Sequence, residues 1–294
     1  MPDTAARTSF HSHLHFPLVM LRCVRFILHL LLGIALSVVY PWLQRRHQQR
    51  ILRNWSAQLL GIFNISITLN ADKPWPEHGP GLIVCNHVSW LDIFALNAIE
   101  PMRFVAKSEV RNWPVIGWLC VRANTLFIER GKARSAARVN AEMVALLGAG
   151  ELLAIFPEGT TTDGKQLAHF HASLLQPALD AQVPVMPVAL RYQDKCGAHS
   201  TIPAYIGDTS FISSLWSLLN ADELHVQVAI MPAICNHELP RREMSTQAHR
   251  QVALALQALH NSPAQAAYEP LPDGAPGMHF RSLYSLLIHL PLDK

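Results

Sequence analysis

In the stretch NHVSWLD (86–92), four residues separate His87 from Asp92. Histidine is the usual general base near neutral pH. A carboxylate on one imidazole nitrogen fixes the tautomer and stabilises the imidazolium that forms during proton abstraction. No GxSxG or other local serine-nucleophile pattern is present, so such a pair would activate a hydroxyl on a substrate. A plainer reading stands beside this one. Ser89 to Asp92 fits the capping box S-x-x-[DE], in which Asp92 returns to the Ser89 backbone N–H and His87 is incidental. Helix side chains lean toward the helix N-terminus, so a first-turn carboxylate can also point back at His87.

Three further stretches carry candidate chemistry. In FPEGTTTDG (156–164) a strand stops at Pro157. Glu158, Gly159 and Thr160, with two more threonines, then offer a turn of N–H groups and hydroxyls that suits an anion; an ordinary strand exit is the alternative. Arg130 ends TLFIER and Lys107 ends RFVAK. Such cations are either a solvated face or, for the guanidinium, a two-pronged clamp on phosphate. Two prolines in VPVMPVAL (183–190) argue for an edge strand, with Pro187 either packing or forming one wall of an apolar groove. His11, His13 and His15, and the pair His169 and His171, lack companion ligands at zinc spacing, so no metal and no cofactor is expected.

These residues need a scaffold, and the pattern supplies one. GLIVCN (81–86), RFVAK (103–107), TLFIER (125–130), ELLAIF (151–156), VPVMPVALRY (183–192) and HVQVAIM (225–231) read as strands. Helical stretches alternate with them at 89–99, 133–150, 170–182 and 241–260. Nearly all-apolar strands alternating with helices imply an α/β domain over about residues 66–260, its sheet covered by helices on both faces.

The first 65 residues differ. Residues 1–17 are expected to be a mobile leader, and 18–65 a membrane-associated pair of helices. The run FILHLLLGIALSVVYPWLQ (26–44) holds no acidic residue and is flanked by Arg22 and Arg25, then by Arg45, Arg46, Arg50 and Arg53. Its nineteen residues would reach about 28 Å as a helix, near the minimum for crossing a bilayer. No A-x-A cleavage site follows it. The denser basic cluster after the run places the remaining chain on the cytoplasmic side of the inner membrane. Leu52, Trp55, Leu59 and Phe63 then recur at helical spacing, which predicts an amphipathic helix lying in the interface or packed on the domain. A hairpin in one leaflet and a single span both fit. Residues 261–294 form a Pro-rich tail.

Composition narrows the classes. Half of the 294 residues are apolar and 15% are charged, with a net charge of +3. No Lys/Arg block interleaves with aromatics, which argues against nucleic acid as a partner. Five scattered cysteines without a CxxC pair fit a reducing compartment. Cys85, beside His87 in sequence, reads as core.

Taken together, Asn86-His87…Asp92, Phe127-Ile128-Glu129-Arg130, Phe156-Pro157-Glu158-Gly159-Thr160 and Val183-Pro184-Val185-Met186-Pro187-Val188 resemble the glycerolipid acyltransferase family, which includes 1-acylglycerol-3-phosphate acyltransferases. Thr161 stands where many of these proteins place Arg or Ser. The resemblance covers roughly residues 65–235 and implies a glycerol-3-phosphate acyltransferase-like fold. It implies that His87, oriented by Asp92, deprotonates the free hydroxyl of a lysophospholipid, which attacks the thioester of acyl-CoA or acyl carrier protein to give phosphatidic acid. Lys107, Arg130 and the Glu158–Thr160 turn would hold the acceptor's phosphate, with Glu158 ordering the turn, and Pro187 would meet an acyl chain. Other readings are acylation of another lysolipid such as lyso-ornithine lipid, whose head group lacks a phosphate, a membrane-bound thioesterase, and a non-catalytic lipid-binding protein.

Overall fold

The computed structural model describes residues 5–70, 79–129, 132–235 and 238–261, with side chains from Phe16 onward. The chain runs α1 (Ala5–Val39), α2 (Arg45–Ile62), β1 (Ile65–Asn70), β2 (Gly81–Cys85), α3 (Asp92–Ile99), β3 (Arg103–Lys107), α4 (Ile116–Arg122), β4 (Leu126–Ile128) and α5 (Ala133–Gly148). It continues through β5 (Leu152–Ile155), α6 (Gln176–Asp180), β6 (Val185–Asp194), α7 (Phe211–Asn220), β7 (Leu224–Ile230) and α8 (Arg241–Asn261).

The strands form one sheet in the order β1-β7-β6-β2-β5-β3-β4. Five run parallel, from β6 through β4. β7 is antiparallel to β6 and carries β1 parallel beside it. Alternation along the strands divides the core. Ile83, Cys85, Phe104, Ala154 and Val188 face one layer with Leu59, Phe63, Leu96 and Leu218 of α2, α3, α7 and the α2 end. Leu82, Val84, Leu153 and Ile155 face the other with Val139 and Met143 of α5, Ala178 of α6 and Met244 of α8. The sheet is therefore covered on both faces, as its apolar strands demand.

β6 overturns the edge-strand expectation. It lies between β2 and β7, paired on both sides. Its prolines are tolerated because of where they fall. Pro184 precedes the strand and gives only its carbonyl, to Leu82 N–H. Pro187 points its carbonyl to Met231 N–H, one pair beyond the last β7 partner, Val188↔Ile230. The N–H that proline lacks would face the same neighbour, where the ladder already ends.

α1 begins at Ala5, inside the segment expected to be a leader. Phe16–Trp42 spans 27 residues at a mean hydropathy of 2.1, with most of its surface uncovered. Val19 and Phe26 nonetheless enter the core, and Phe26 packs on Phe63 with centroids 5.8 Å apart. The Arg22 guanidinium is buried and donates to the Leu219 and Ala221 carbonyls at 3.0 and 2.6 Å. It thereby satisfies carbonyls left open at the α7 C-terminus. α2 packs on α3, and Arg53 reaches Glu100 at 2.7 Å. One face of α1 holds the domain; the other exposes Leu21, Val24, Ile27, Leu28 and Leu31. The Pro-rich tail expected at 261–294 lies outside the described residues, apart from Asn261, which closes α8.

Candidate active site

The site is built at the carboxyl ends of β2 and β5, where open α/β sheets collect their ligand sites. β2 stops at Cys85 because Asn86 turns its side chain across to β6. The Asn86 amide donates to the Leu190 carbonyl at 2.9 Å and accepts from Leu190 N–H at 2.7 Å. A side chain thus replaces one ladder pair and fixes where the next residue, His87, leaves the sheet.

Asp92 opens α3, three residues later than the helix start expected at Ser89. The intervening residues form a turn closed by Asp92 N–H to the Ser89 carbonyl at 3.1 Å. The Asp92 carboxylate is fully buried. Its Oδ2 accepts from Val88 N–H at 2.7 Å, Ser89 N–H at 2.9 Å and His87 Nδ1 at 2.8 Å. The carboxylate half of the capping box forms as expected. Ser89 Oγ accepts from Leu91 N–H at 3.2 Å instead of capping Asp92. Cap and dyad are one structure: the carboxylate that closes the turn also holds the imidazole.

Oδ2 already receives two backbone N–H groups, so it acts as an acceptor. Nδ1 must then carry the proton toward it, which leaves the lone pair of neutral His87 on Nε2. The imidazole is 19% exposed and stacks on Phe156, 3.9 Å between centroids and 8° from parallel. Phe156 fixes the ring plane, and no described protein group bonds to Nε2. A basic nitrogen is thereby aimed outward from a rigid mount.

Glu158 completes the mount. It is buried; Oε1 accepts from His87 N–H at 2.7 Å and Oε2 from Ala168 N–H at 2.8 Å. Desolvation pushes its carboxyl up to about 7, against the pull of these two hydrogen bonds, with the Asp92 charge adding to the rise. Its two oxygens tie the segment after β5 to the His87 and Ala168 backbones. Gly159 takes a positive φ of 69°, and its N–H donates to the Phe156 carbonyl. The Thr162 N–H closes onto the His87 carbonyl at 2.8 Å, and the Thr161 hydroxyl donates to the Tyr205 carbonyl. The Thr161 and Thr162 hydroxyls turn into the fold, and Thr160 is the exposed threonine. Lys107 is exposed at the carboxyl end of β3, the same end of the sheet as His87. Arg130 lies outside the described residues. Pro187 is buried in mid-sheet opposite Val84.

Sequence reasoning missed Tyr192. Its hydroxyl donates to Asp92 Oδ1 at 2.9 Å from a fully buried position on β6. Burial first, then the Asp92 charge, drives the phenol well above its ordinary range, so it stays protonated and donates. The available signal was a phenol in a strand that opens on a long apolar run, since a buried hydroxyl requires a partner.

Comparison with known proteins fits this geometry. A family model described as Acyltransferase matches residues 66–191. A lyso-ornithine lipid O-acyltransferase of Pseudomonas aeruginosa is 37% identical over 248 residues, covering 81% of this chain and 93% of that protein. The chain belongs to the lysolipid acyltransferase family. A 1-acyl-sn-glycerol-3-phosphate acyltransferase of Neisseria gonorrhoeae is 39% identical over 165 residues, 56% of this chain and 64% of its own length. The crystal structure of the 1-acyl-sn-glycerophosphate acyltransferase PlsC from Thermotoga maritima matches with a TM-score of 0.64 at 15% identity, over 84% of this chain and 98% of that one. The expected acyltransferase fold is thus the one observed. As a member of this family the protein is an acyltransferase acting on lysolipids, and its apolar N-terminal helix suits association with a membrane.

Proposed function

We propose that His87 is the general base and Asp92 its orienting partner in acyl transfer to a lysolipid hydroxyl. The observation that carries this is the 2.8 Å contact between Nδ1 and a fully buried Asp92 carboxylate, with Nε2 left toward solvent. Nε2 takes the proton of the acceptor hydroxyl as its oxygen attacks the thioester carbonyl. The imidazolium gains the Asp92 charge as its counter-ion. The tetrahedral intermediate then expels the thiolate, which recovers the proton from Nε2. An ester and a free thiol leave, and His87 returns neutral. General-base help of this kind contributes about 10²–10⁴ in rate, and orientation of the two substrates contributes more.

The acceptor is lyso-ornithine lipid in the favoured reading. A relative 37% identical over 81% of this chain and 93% of its own length is named for that lipid, and the FPEGT turn ties the Gly159 N–H and both Glu158 oxygens into its own fold. The second reading is 1-acylglycerol-3-phosphate, supported by the Neisseria relative and by Lys107 at the site's end of β3. The Arg130 guanidinium would serve that acceptor. Acyl-CoA or acyl carrier protein supplies the thioester.

α1 sits in the inner membrane with the domain on the cytoplasmic side, where Arg45, Arg46, Arg50 and Arg53 follow its end. Each CH₂ of a lysolipid gains about 0.8 kcal/mol in the bilayer, so an enzyme held at the interface avoids extracting its substrate. Purified protein assayed with both lysolipids and both donors decides the acceptor. Faster transfer to lyso-ornithine lipid supports the favoured reading, and transfer to 1-acylglycerol-3-phosphate alone overturns it.

A further inference from the structure

A cleft opens at the other end of the sheet from His87. Its apolar half lies between α1, α2 and α4, lined by Gly33, Leu36, Leu52, Trp55 and Leu119. Its polar half holds Arg45, Gln49, Arg103 and Glu151. The halves adjoin, with Tyr40, Leu52 and Ala123 lining both. Arg103 begins β3 and Glu151 immediately precedes β5, whereas His87 and Glu158 follow the carboxyl ends of the parallel β2 and β5. The four residues of β5 alone separate the two ends by about 13 Å. The cleft is thus distinct from the catalytic end.

Its chemistry is that of an amphiphile. The apolar half has as one wall the same α1 whose outer face exposes Leu28, Leu31, Val38 and Val39. Gly33 lets the Trp55 indole pack close against α1 as part of this wall: a Cβ there would lie 3.0 Å from the indole nitrogen. In the polar half two guanidiniums share one carboxylate, Arg45 at 3.0 Å and Arg103 at 3.1 Å from Glu151. The cluster keeps one net positive charge, and both guanidiniums retain N–H groups that Glu151 does not take.

We infer that this cleft holds one anionic glycerophospholipid of the surrounding bilayer, with an acyl chain against Trp55 and Leu119 and its phosphate on Arg45 and Arg103. The inference rests on the membrane-embedded reading of α1. It names a lipid that is neither acceptor nor donor, bound where it can brace α1 and α2 against β3.

The test is photolabelling of the full chain in lipid nanodiscs with phosphatidylglycerol or phosphatidylcholine bearing a chain diazirine. Labelled peptides are mapped by mass spectrometry. The expected result is labelling of the segments at 33–55 and 119–124, several-fold stronger with phosphatidylglycerol. Ala123→Trp should cut that labelling at least fivefold while leaving labelling of the outer α1 face at Leu28 and Leu31 unchanged, and Arg45→Gln should erase the preference for the anionic lipid. Retained outer-face labelling also shows that the variant is folded and embedded. Undiminished cleft labelling in Ala123→Trp, equal labelling by the two lipids, or displacement of the label by lysolipid at concentrations that saturate turnover would each overturn the proposal. Loss of outer-face labelling in the unsubstituted protein would instead sink the membrane reading on which it rests.

Discussion

Tyr192 donates its hydroxyl to the oxygen of Asp92 that His87 does not use, at 2.9 Å and wholly inside the protein. The start of α3 is thereby braced from β6, two strand positions beyond the residue that Asn86 ties to β2. Tyr192→Phe removes the hydroxyl and little else. A hydrogen bond to a charged group contributes about 1.5–3 kcal/mol, so the variant should unfold that much more easily. Its kcat should fall by about threefold to tenfold with KM little changed, since Tyr192 touches neither substrate in this account. Steady-state kinetics beside chemical denaturation measures both.

Asp92→Asn keeps the shape and removes the charge. Two backbone N–H groups hold the amide oxygen where Oδ2 sits, so the turn survives while the imidazolium loses its counter-ion. Turnover should fall by about 10²–10⁴. Asp92→Ala strands the Val88 and Ser89 N–H groups and the Tyr192 hydroxyl, and should cost about 3–5 kcal/mol in stability as well. Activity of Asp92→Asn within threefold of the unsubstituted protein would reduce the residue to a cap.

Glu158 gives a pH signature. Its carboxyl titrates near 7 in the fold and near 4.5 in the unfolded chain, and burial is the main cause. Between these values the folded chain holds the proton more tightly. Stability therefore falls as pH rises from about 4.5 to about 7 and levels off above. Glu158→Gln stays neutral throughout and should lose that slope, which amounts to about 1–3 kcal/mol across the window. Unfolding midpoints of both proteins at pH 5 and pH 7.5 report it. A parallel pH dependence in the two proteins would contradict the assignment.

Arg22 is the bolt between α1 and the domain. Arg22→Leu leaves the Leu219 and Ala221 carbonyls without their donor. Stability should drop by about 1–3 kcal/mol. Limited proteolysis should cut more readily at the end of α7 than in the unsubstituted protein.

Much of this was legible beforehand, for identifiable reasons. β3 was placed residue for residue, and β2 and β5 within one or two, because their unbroken apolar runs leave few other options. The sequence leaves Asp92 open between side-chain lean toward His87 and a capping box, and the carboxylate makes both contacts. β6 was assigned to an edge because the proline rule looks at one strand; the antiparallel neighbour that stops one pair short of Pro187 is a tertiary fact. β1 went unread because ISITLN continues the apolar face of α2. α7 was overlooked although Ser210 caps it, accepting from Ser213 N–H, and Phe211, Leu215 and Leu218 follow at helical spacing. The cleft near Arg103 joins residues of α1, α2, β3 and α4 with connecting residues such as Glu151, and has no local pattern to find.

The account stands or falls on His87. The direct measurement is acyl transfer by the full chain in nanodiscs, with lyso-ornithine lipid as acceptor and acyl carrier protein or CoA thioesters as donor, for the unsubstituted protein and His87→Ala. The imidazole is partly exposed, so the variant should keep its unfolding midpoint within a few degrees. The account predicts formation of the acylated lipid by the first, and at least a hundredfold slower transfer by the second. Unchanged transfer by a folded His87→Ala protein, or thioester cleavage at full rate without any lysolipid, would contradict it.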